Sequence, residues 1–221
     1  MGVLLIMEDG MNRIILGDCF DTLARLPDKC IDLLCTDPPY GIGIAKTGKL
    51  GNSVFTPKAW DSVIPPKIYF DEMRRVSKAQ IIWGGNHFTH YLPPSRCWLV
   101  WWKNDGLPCG TFADCEMAWT SFDRPAQVFN SRWRGFVRDS KEPRVGHPTQ
   151  KALDVMKWCI ASFSEPGDTI LDPFLGSGTT AVAAKLLRRC YVGIEQDEEY
   201  VAMARERLRC AIPANDNRKR R

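Results

Sequence analysis

The stretch that most constrains this chain runs Thr169-Ile170-Leu171-Asp172-Pro173-Phe174-Leu175-Gly176-Ser177-Gly178-Thr179-Thr180, followed by the helix-forming residues 181–187. A short apolar strand feeds a glycine loop, and the loop opens a helix. Glycine is required there because the backbone must turn tightly and approach a ligand where a Cβ would clash. Seventeen residues after Gly178, at the end of the next strand-like run, stands Glu195. An acid at that place can accept hydrogen bonds from both ribose hydroxyls of an adenosine-containing cofactor. The third glycine of a dinucleotide fingerprint is missing and there is no GxxxxGK[ST], which argues against a nicotinamide dinucleotide and against a P-loop.

The same alternation extends along the chain. Residues 13–16, 31–35, 80–83, 97–102, 115–120, 169–171 and 191–194 read as strands, and 20–26, 67–76, 151–163, 179–187 and 197–209 as helices. The last helix has Asp197, Glu198 and Glu199 in its first turn and Arg205, Arg207 and Arg209 near its end, the polarity that complements a helix dipole. Strands alternating with helices predict a parallel-rich sheet covered on both faces. At 221 residues the chain fills one core and not two full domains. Three Pro/Gly-bearing stretches, 41–66, 104–111 and 121–148, are expected to be long functional loops. Seven of the eight tryptophans lie between Trp60 and Trp133, most of them expected in packing.

Charge and cysteines exclude several classes. The net charge is +4, and Arg218-Lys219-Arg220-Arg221 alone supply four positives, so the body is balanced. It still carries a basic stripe: Arg124, Arg132, Arg134, Arg138, Lys141 and Arg144 stand against Asp139 and Glu142. Such a stripe suits a polyanion. Nine cysteines without any CxxC spacing exclude a disulfide scaffold or zinc ribbon as the organising principle and predict free, mostly buried thiols. His87 and His90 have no partner pattern for a metal, and none is expected. No apolar run is long enough to span a bilayer, and the N-terminus lacks the marks of a signal peptide. A cytoplasmic protein without a membrane partner is expected.

A second signature lies upstream: Ile31-Asp32-Leu33-Leu34-Cys35-Thr36-Asp37-Pro38-Pro39-Tyr40. A buried strand ends in a carboxylate, two prolines and an aromatic ring. The prolines fix φ and remove N–H donors, holding the adjacent carbonyl rigidly. Asp37 and the Pro38 carbonyl offer two acceptors and Tyr40 a flat face, a set that suits a planar group bearing an –NH2.

Together the two signatures resemble those of the amino-group methyltransferases of DNA, which use S-adenosylmethionine and carry DPPY and FxGxG-type motifs. Gly17-Asp18-Cys19 with Leu26-Pro27-Asp28 precedes DPPY as in that family, and His147-Pro148-Thr149-Gln150-Lys151 precedes the glycine loop. DPPY ahead of the cofactor loop is the permuted order of the family's β class. Segments 75–88, 98–103 and 113–122 look like the short phage-type adenine methylases, and the likeness spans about 12–208. It implies an α/β, Rossmann-like S-adenosylmethionine-dependent methyltransferase fold with a mostly parallel sheet: one catalytic domain over 1–217, target-recognition loops near 41–66 and 121–148, and a basic tail at 218–221. By the same resemblance Asp37, Pro38, Pro39 and Tyr40 would hold a flipped base. Asp172, Phe174, Gly176, Ser177, Gly178 and Thr179 would line the cofactor and Glu195 would take its ribose. Asp18 would meet the cofactor's adenine, and Thr149 with Lys151 its methionine carboxylate. The family's HPTQKP reads HPTQKA here, with Ala152, which predicts a looser start to the following helix.

The expected substrate is double-stranded DNA and the expected product N6-methyladenine, because cytosine-N4 enzymes more often have Ser where Asp37 stands. N4-cytosine transfer is the alternative. Transfer to cytosine C5 would need a nucleophilic cysteine, and Cys109 lies out of order for one. RNA and protein-glutamine methylases carry [ND]PPY after their glycine loop, not before it. A catalytically silent DNA-binding module is disfavoured by the intact Asp37 and Glu195. Arg132, Arg134 and Arg138, interleaved with Phe129, Trp133 and Phe136, are the expected DNA-reading set. With so short a reading loop, a short target sequence or a homodimer sharing the work is expected. His147 is expected to cap or pack rather than act as a base.

Overall fold

The computed structural model describes residues 11–44, 46, 49–50, 53–54, 57–103, 113–134, 137–139, 142 and 145–213. An eight-stranded sheet forms from β1 (Arg13–Leu16), β2 (Ile31–Thr36), β5 (Ser77–Trp83), β6 (Trp98–Trp102), β7 (Cys115–Thr120), β8 (Gln127–Asn130), β11 (Thr169–Asp172) and β12 (Cys190–Glu195). Two small hairpins, β3–β4 (Lys49–Leu50, Ser53–Val54) and β9–β10 (Trp133–Arg134, Val137–Arg138), stand apart from it. The order is β1-β12-β11-β2-β5-β7-β6-β8. Seven strands share one direction and β7 alone runs against them. The mostly parallel sheet read from the sequence is therefore present.

Side-chain alternation along β2 explains the two layers. Leu34 points to one face, where α1 (Cys19–Leu23) and α2 (Lys67–Val76) bury Leu23, Phe70, Met73 and Val76. Leu33 and Cys35 point to the other, beneath α3 (Leu153–Phe163) and α4 (Thr179–Leu186), which contribute Val155, Met156, Ile160, Ala183 and Ala184. Outside α4 lies α5 (Glu198–Cys210), joined through Leu175, Val182, Ala204 and Leu208. Gly178 opens α4 at φ +82, and a Cβ there would lie 2.7 Å from that of Ala204, so this glycine serves both the turn and the packing of α5.

The chain leaves β11 through α4 to β12 on one side, and leaves β2 through α2 to β5 on the other. Since β11 and β2 are neighbours, with Leu33 beside Ile170 and Leu34 beside Leu171, a crevice opens where both strands end. Ligands of open α/β sheets bind at such a switch point. Both sequence signatures leave the sheet there.

Most predicted elements recur with ends shifted by one or two residues, and β1, α2 and β7 match the sequence reading residue for residue. The expected loop 121–148 differs. It contains β8, whose four residues alternate too briefly to register as a strand but pair in parallel with β6, Leu99 beside Gln127. Eight described cysteines are free thiols, with Cys19, Cys35, Cys97 and Cys159 buried. Among the described residues no helix is long and apolar enough to cross a membrane.

Candidate active site

The crevice holds a cavity of about 260 Å³, just below the roughly 300–1,000 Å³ usual for small-molecule sites. Glycine-loop backbone and Phe174 form one wall, Gly17, Asp18 and Tyr69 another, and Trp60, Val63 and Pro65 cover it from the segment after the DPPY loop. Asp37, Thr149, Lys151, Asp172 and Glu195 all reach it. The structure thus brings together residues that the sequence spreads over nearly two hundred positions.

Glu195, at the end of β12, braces the loop: one carboxylate oxygen accepts from the Gly176 N–H at 2.8 Å and the other from the Asp197 N–H at 2.9 Å. Burial raises its pKa above the ordinary carboxylate value. Each oxygen keeps a second lone pair for a ligand hydroxyl. Asp18 caps α1 by accepting from the Phe20 N–H at 2.7 Å. The hydroxyls of Ser177 and Thr179 each accept from Arg207 at 3.0 Å. These features fit an adenosine-containing cofactor: an acid for the ribose, apolar rings for a base, and close-approaching glycine backbone.

Asp172 ties the two signatures together. Its carboxylate accepts from the hydroxyls of Thr36 and Thr180, both at 2.6 Å, and from the Phe174 N–H at 3.1 Å. Burial pushes its pKa up to about 6 despite those donors. A carboxyl raised in the folded state keeps a proton that the unfolded chain has released, so stability falls as pH rises from about 4 to about 6. The cost is of order 3 kcal/mol at neutral pH, taking about 1.4 kcal/mol per pH unit. In chemical denaturation the stability of wild type relative to Asp172→Asn should therefore decline over that window. A difference that does not change with pH would show that Asp172 carries no such penalty.

At the end of β2 the DPPY loop is held from outside itself. Asp61, 2% exposed, accepts from the N–H groups of Tyr40 (2.8 Å), Gly41 (3.0 Å) and Ile44 (3.0 Å). The Tyr40 ring stacks on His87 with centroids 4.8 Å apart. Gly84, at φ +69, lies so close beneath that ring that any Cβ there would overlap it. The Tyr40 hydroxyl donates to Asp37 at 2.5 Å, and the other Asp37 oxygen meets the Lys151 ammonium at 3.0 Å. Lys151 also donates to Glu116 at 2.5 Å, while the second Glu116 oxygen pairs with Lys103 at 2.8 Å. Burial raises the Asp37 pKa. Burial opposes the charge of Lys151, but Asp37 and Glu116 outweigh it and hold this lysine well above its ordinary value. Glu116 stays low, at about 2, because its two lysines overcome its own burial.

Several expectations need revision. Lys151, expected with Thr149 at the cofactor's carboxylate, lines the cavity and is tied to Asp37 and Glu116, with the Tyr40 hydroxyl at 3.4 Å, contacts that the sequence did not reveal. The missing proline at Ala152 does not leave the start of α3 unsupported, because Glu142 accepts from the Leu153 N–H at 2.8 Å and pairs with Arg207. Phe129 and Trp133, read as DNA-facing wedges, pack against the core, with Phe129 stacked on Trp158 at 5.1 Å. Arg132 braces its own hairpin through Asp139, by both its N–H and its Nε at 2.8 Å. The side chains of Arg134 and Arg138, Cys109, Phe136 and the tail 218–221 lie outside the described residues. His147 is packed between Trp60 and Tyr200, and burial lowers its pKa to about 4, so it is neutral at pH 7, as a packing residue should be. Asp61, Glu116, Lys103 and Glu142 were not singled out by sequence. The one available signal was a carboxylate, Glu116, in an otherwise apolar strand.

A mostly parallel sheet with a nucleoside-type cavity beside a DPPY loop is the arrangement expected of an S-adenosylmethionine-dependent methyltransferase. Residues 100–206 match the DNA methylase family. The type II methyltransferase M.HinfI of Haemophilus influenzae is 28% identical over 96% of this chain and 72% of its own length. Among solved structures, the M1.HpyAVI–SAM complex superposes with a TM-score of 0.61 at 24% identity, over 90% of this chain and all of that one. The cytosine-N4-specific PvuII DNA methyltransferase gives 0.63 at 16%, covering 94% of this chain and 88% of its own. These likenesses, over 90% or more of the chain for each relative, support reading it as an N6/N4 DNA amino-methyltransferase.

Proposed function

We propose that this enzyme transfers a methyl group to the exocyclic N6 of adenine in double-stranded DNA, with Asp37 as the acceptor that activates the amino group. The observation carrying this reading is that Asp37 lies in the wall of the cofactor cavity itself, not beyond it. When bound there, S-adenosylmethionine supplies an electrophilic methyl on a sulfonium. Glu195 holds the ribose, Asp18 and Phe174 the adenine end, and Thr149 the amino-acid end.

The amino nitrogen of adenine is a poor nucleophile because its lone pair is delocalised into the ring. Hydrogen bonds from that group to Asp37 and to the Pro38 carbonyl localise the pair on nitrogen, and their preorganisation supplies much of the catalysis. The base cannot react inside the duplex, and flipping it costs a few kcal/mol. Stacking on Tyr40 returns about 1–3 kcal/mol. The Tyr40 ring stacks on His87, which fixes its plane.

Adenine is favoured over cytosine by the Asp at position 37, as the family resemblance implies. Nucleoside mass spectrometry of DNA from cells expressing the protein should show N6-methyladenine. Finding only N4-methylcytosine would reject adenine and keep the amino-methyltransferase chemistry.

A further inference from the structure

Lys103, Glu116, Lys151 and Asp37 form a line of alternating charges, with links of 2.8, 2.5 and 3.0 Å, ending at the carboxylate that faces the cavity. Topology creates the line. Because β7 alone runs backwards, its second residue, Glu116, sits at the same edge of the sheet as the DPPY loop, beside Lys103 at the end of β6. Burying charges is costly, and a line used only for packing is readily replaced by apolar residues. The geometry suggests what it does instead. The Lys151 side chain is 8% exposed and sits closer to Glu116 than to Asp37.

We propose that Glu116 is a positioning residue for methyl transfer: it draws the Lys151 ammonium toward itself, so that Asp37 keeps an uncancelled negative field for the amino group, while Lys103 holds Glu116 in place. The proposal rests on the reading of Asp37 as the amino-group acceptor. As the N–C bond forms and the donor's carbon–sulfur bond breaks, the electron pair staying on sulfur, the amino nitrogen gains positive charge, which it loses by releasing one proton to solvent. The sign of the line's net charge therefore matters, and not only its geometry. Removing Glu116 leaves one excess cation beside that nitrogen and frees Lys151 to close on Asp37. Removing Lys103 leaves one excess anion.

Two variants with opposite expected signs test this, Glu116→Gln and Lys103→Met. In single turnover at saturating DNA and cofactor, Glu116→Gln should slow transfer at least tenfold, and Lys103→Met should remain at least fivefold faster than Glu116→Gln. The second readout needs no ligand: the Asp37 carboxyl titration followed by carbon NMR, its resonance identified by its loss in Asp37→Asn. Asp37 is faced by Tyr40 from its own loop, Lys151 from the segment before α3, Glu116 with Lys103 behind it, Asp172 from β11 and Cys35 from β2. Of these, each variant deletes only one charge. The midpoint should move down in Glu116→Gln and up in Lys103→Met. Equal losses of rate in the two variants, or an Asp37 midpoint that moves in neither, would overturn the proposal. If Glu116→Gln does not fold, an upward shift in Lys103→Met supports the proposal, and a downward or absent shift overturns it. Asp37→Ala separates the two levels. Retained transfer there removes the acceptor reading, whereas a silent Asp37→Ala with a wild-type rate in Glu116→Gln removes only this inference.

Discussion

Asp37→Ala should reduce methyl transfer by at least about 10²–10³-fold, the usual cost of removing one preorganised hydrogen-bonding group from a transition state, while cofactor affinity stays within about threefold. The asymmetry follows from what Asp37 touches. Its oxygens bond the Tyr40 hydroxyl and the Lys151 ammonium, and neither brings it to the glycine loop or to Glu195. The loop's own braces, Glu195 and Asp172, are unaffected by the change. Lys151 also keeps a partner, since Glu116 remains at 2.5 Å, so the variant does not strand a buried cation. A thermal midpoint near that of wild type should accompany the loss. Single-turnover transfer and calorimetric titration with S-adenosylmethionine measure the two halves. Retention of most of the turnover would remove Asp37 from the chemistry.

The fold was legible because its signals are local. The run 169–187 states strand, turn and helix within nineteen residues, and DPPY states the end of a strand by removing two N–H donors in succession. Glu195 could be placed at the end of β12, in the cavity wall, because a βαβ unit fixes the distance from the glycine loop to the end of the next strand. What could not be read depends on tertiary geometry. Asp61 reaches back across about twenty residues to bond three N–H groups of the DPPY loop, and no periodicity marks such a return. Glu116 matters only because β7 runs against its neighbours, and strand direction is not encoded in hydrophobic alternation. Phe129 and Trp133 looked like DNA wedges because the strand β8 was hidden. Once it pairs with β6, Phe129 turns inward onto Trp158. Composition shows that a loop carries aromatic rings, not which way they face.

Glu195→Ala should weaken S-adenosylmethionine binding at least tenfold. Two ribose hydroxyls donating to one carboxylate are charge-assisted hydrogen bonds worth about 1.5–3 kcal/mol each, so losing both approaches a factor of about a hundred or more. Part of the loss comes from the protein itself. The carboxylate spans the Gly176 and Asp197 N–H groups at 2.8 and 2.9 Å, and so fixes the glycine loop against the start of α5 before any ligand arrives. Alanine leaves both N–H groups without that acceptor, and the loop must then be ordered on binding, which costs further affinity. The turnover rate at saturating cofactor should fall much less than the affinity, because Asp37, Tyr40 and Lys151 do not touch Glu195. Calorimetry on Glu195→Ala and Asp37→Ala together therefore forms a crossed test. One variant should lose binding and keep chemistry, and the other should keep binding and lose chemistry. An unchanged dissociation constant in Glu195→Ala would mean that the ribose is held by another acid of the crevice.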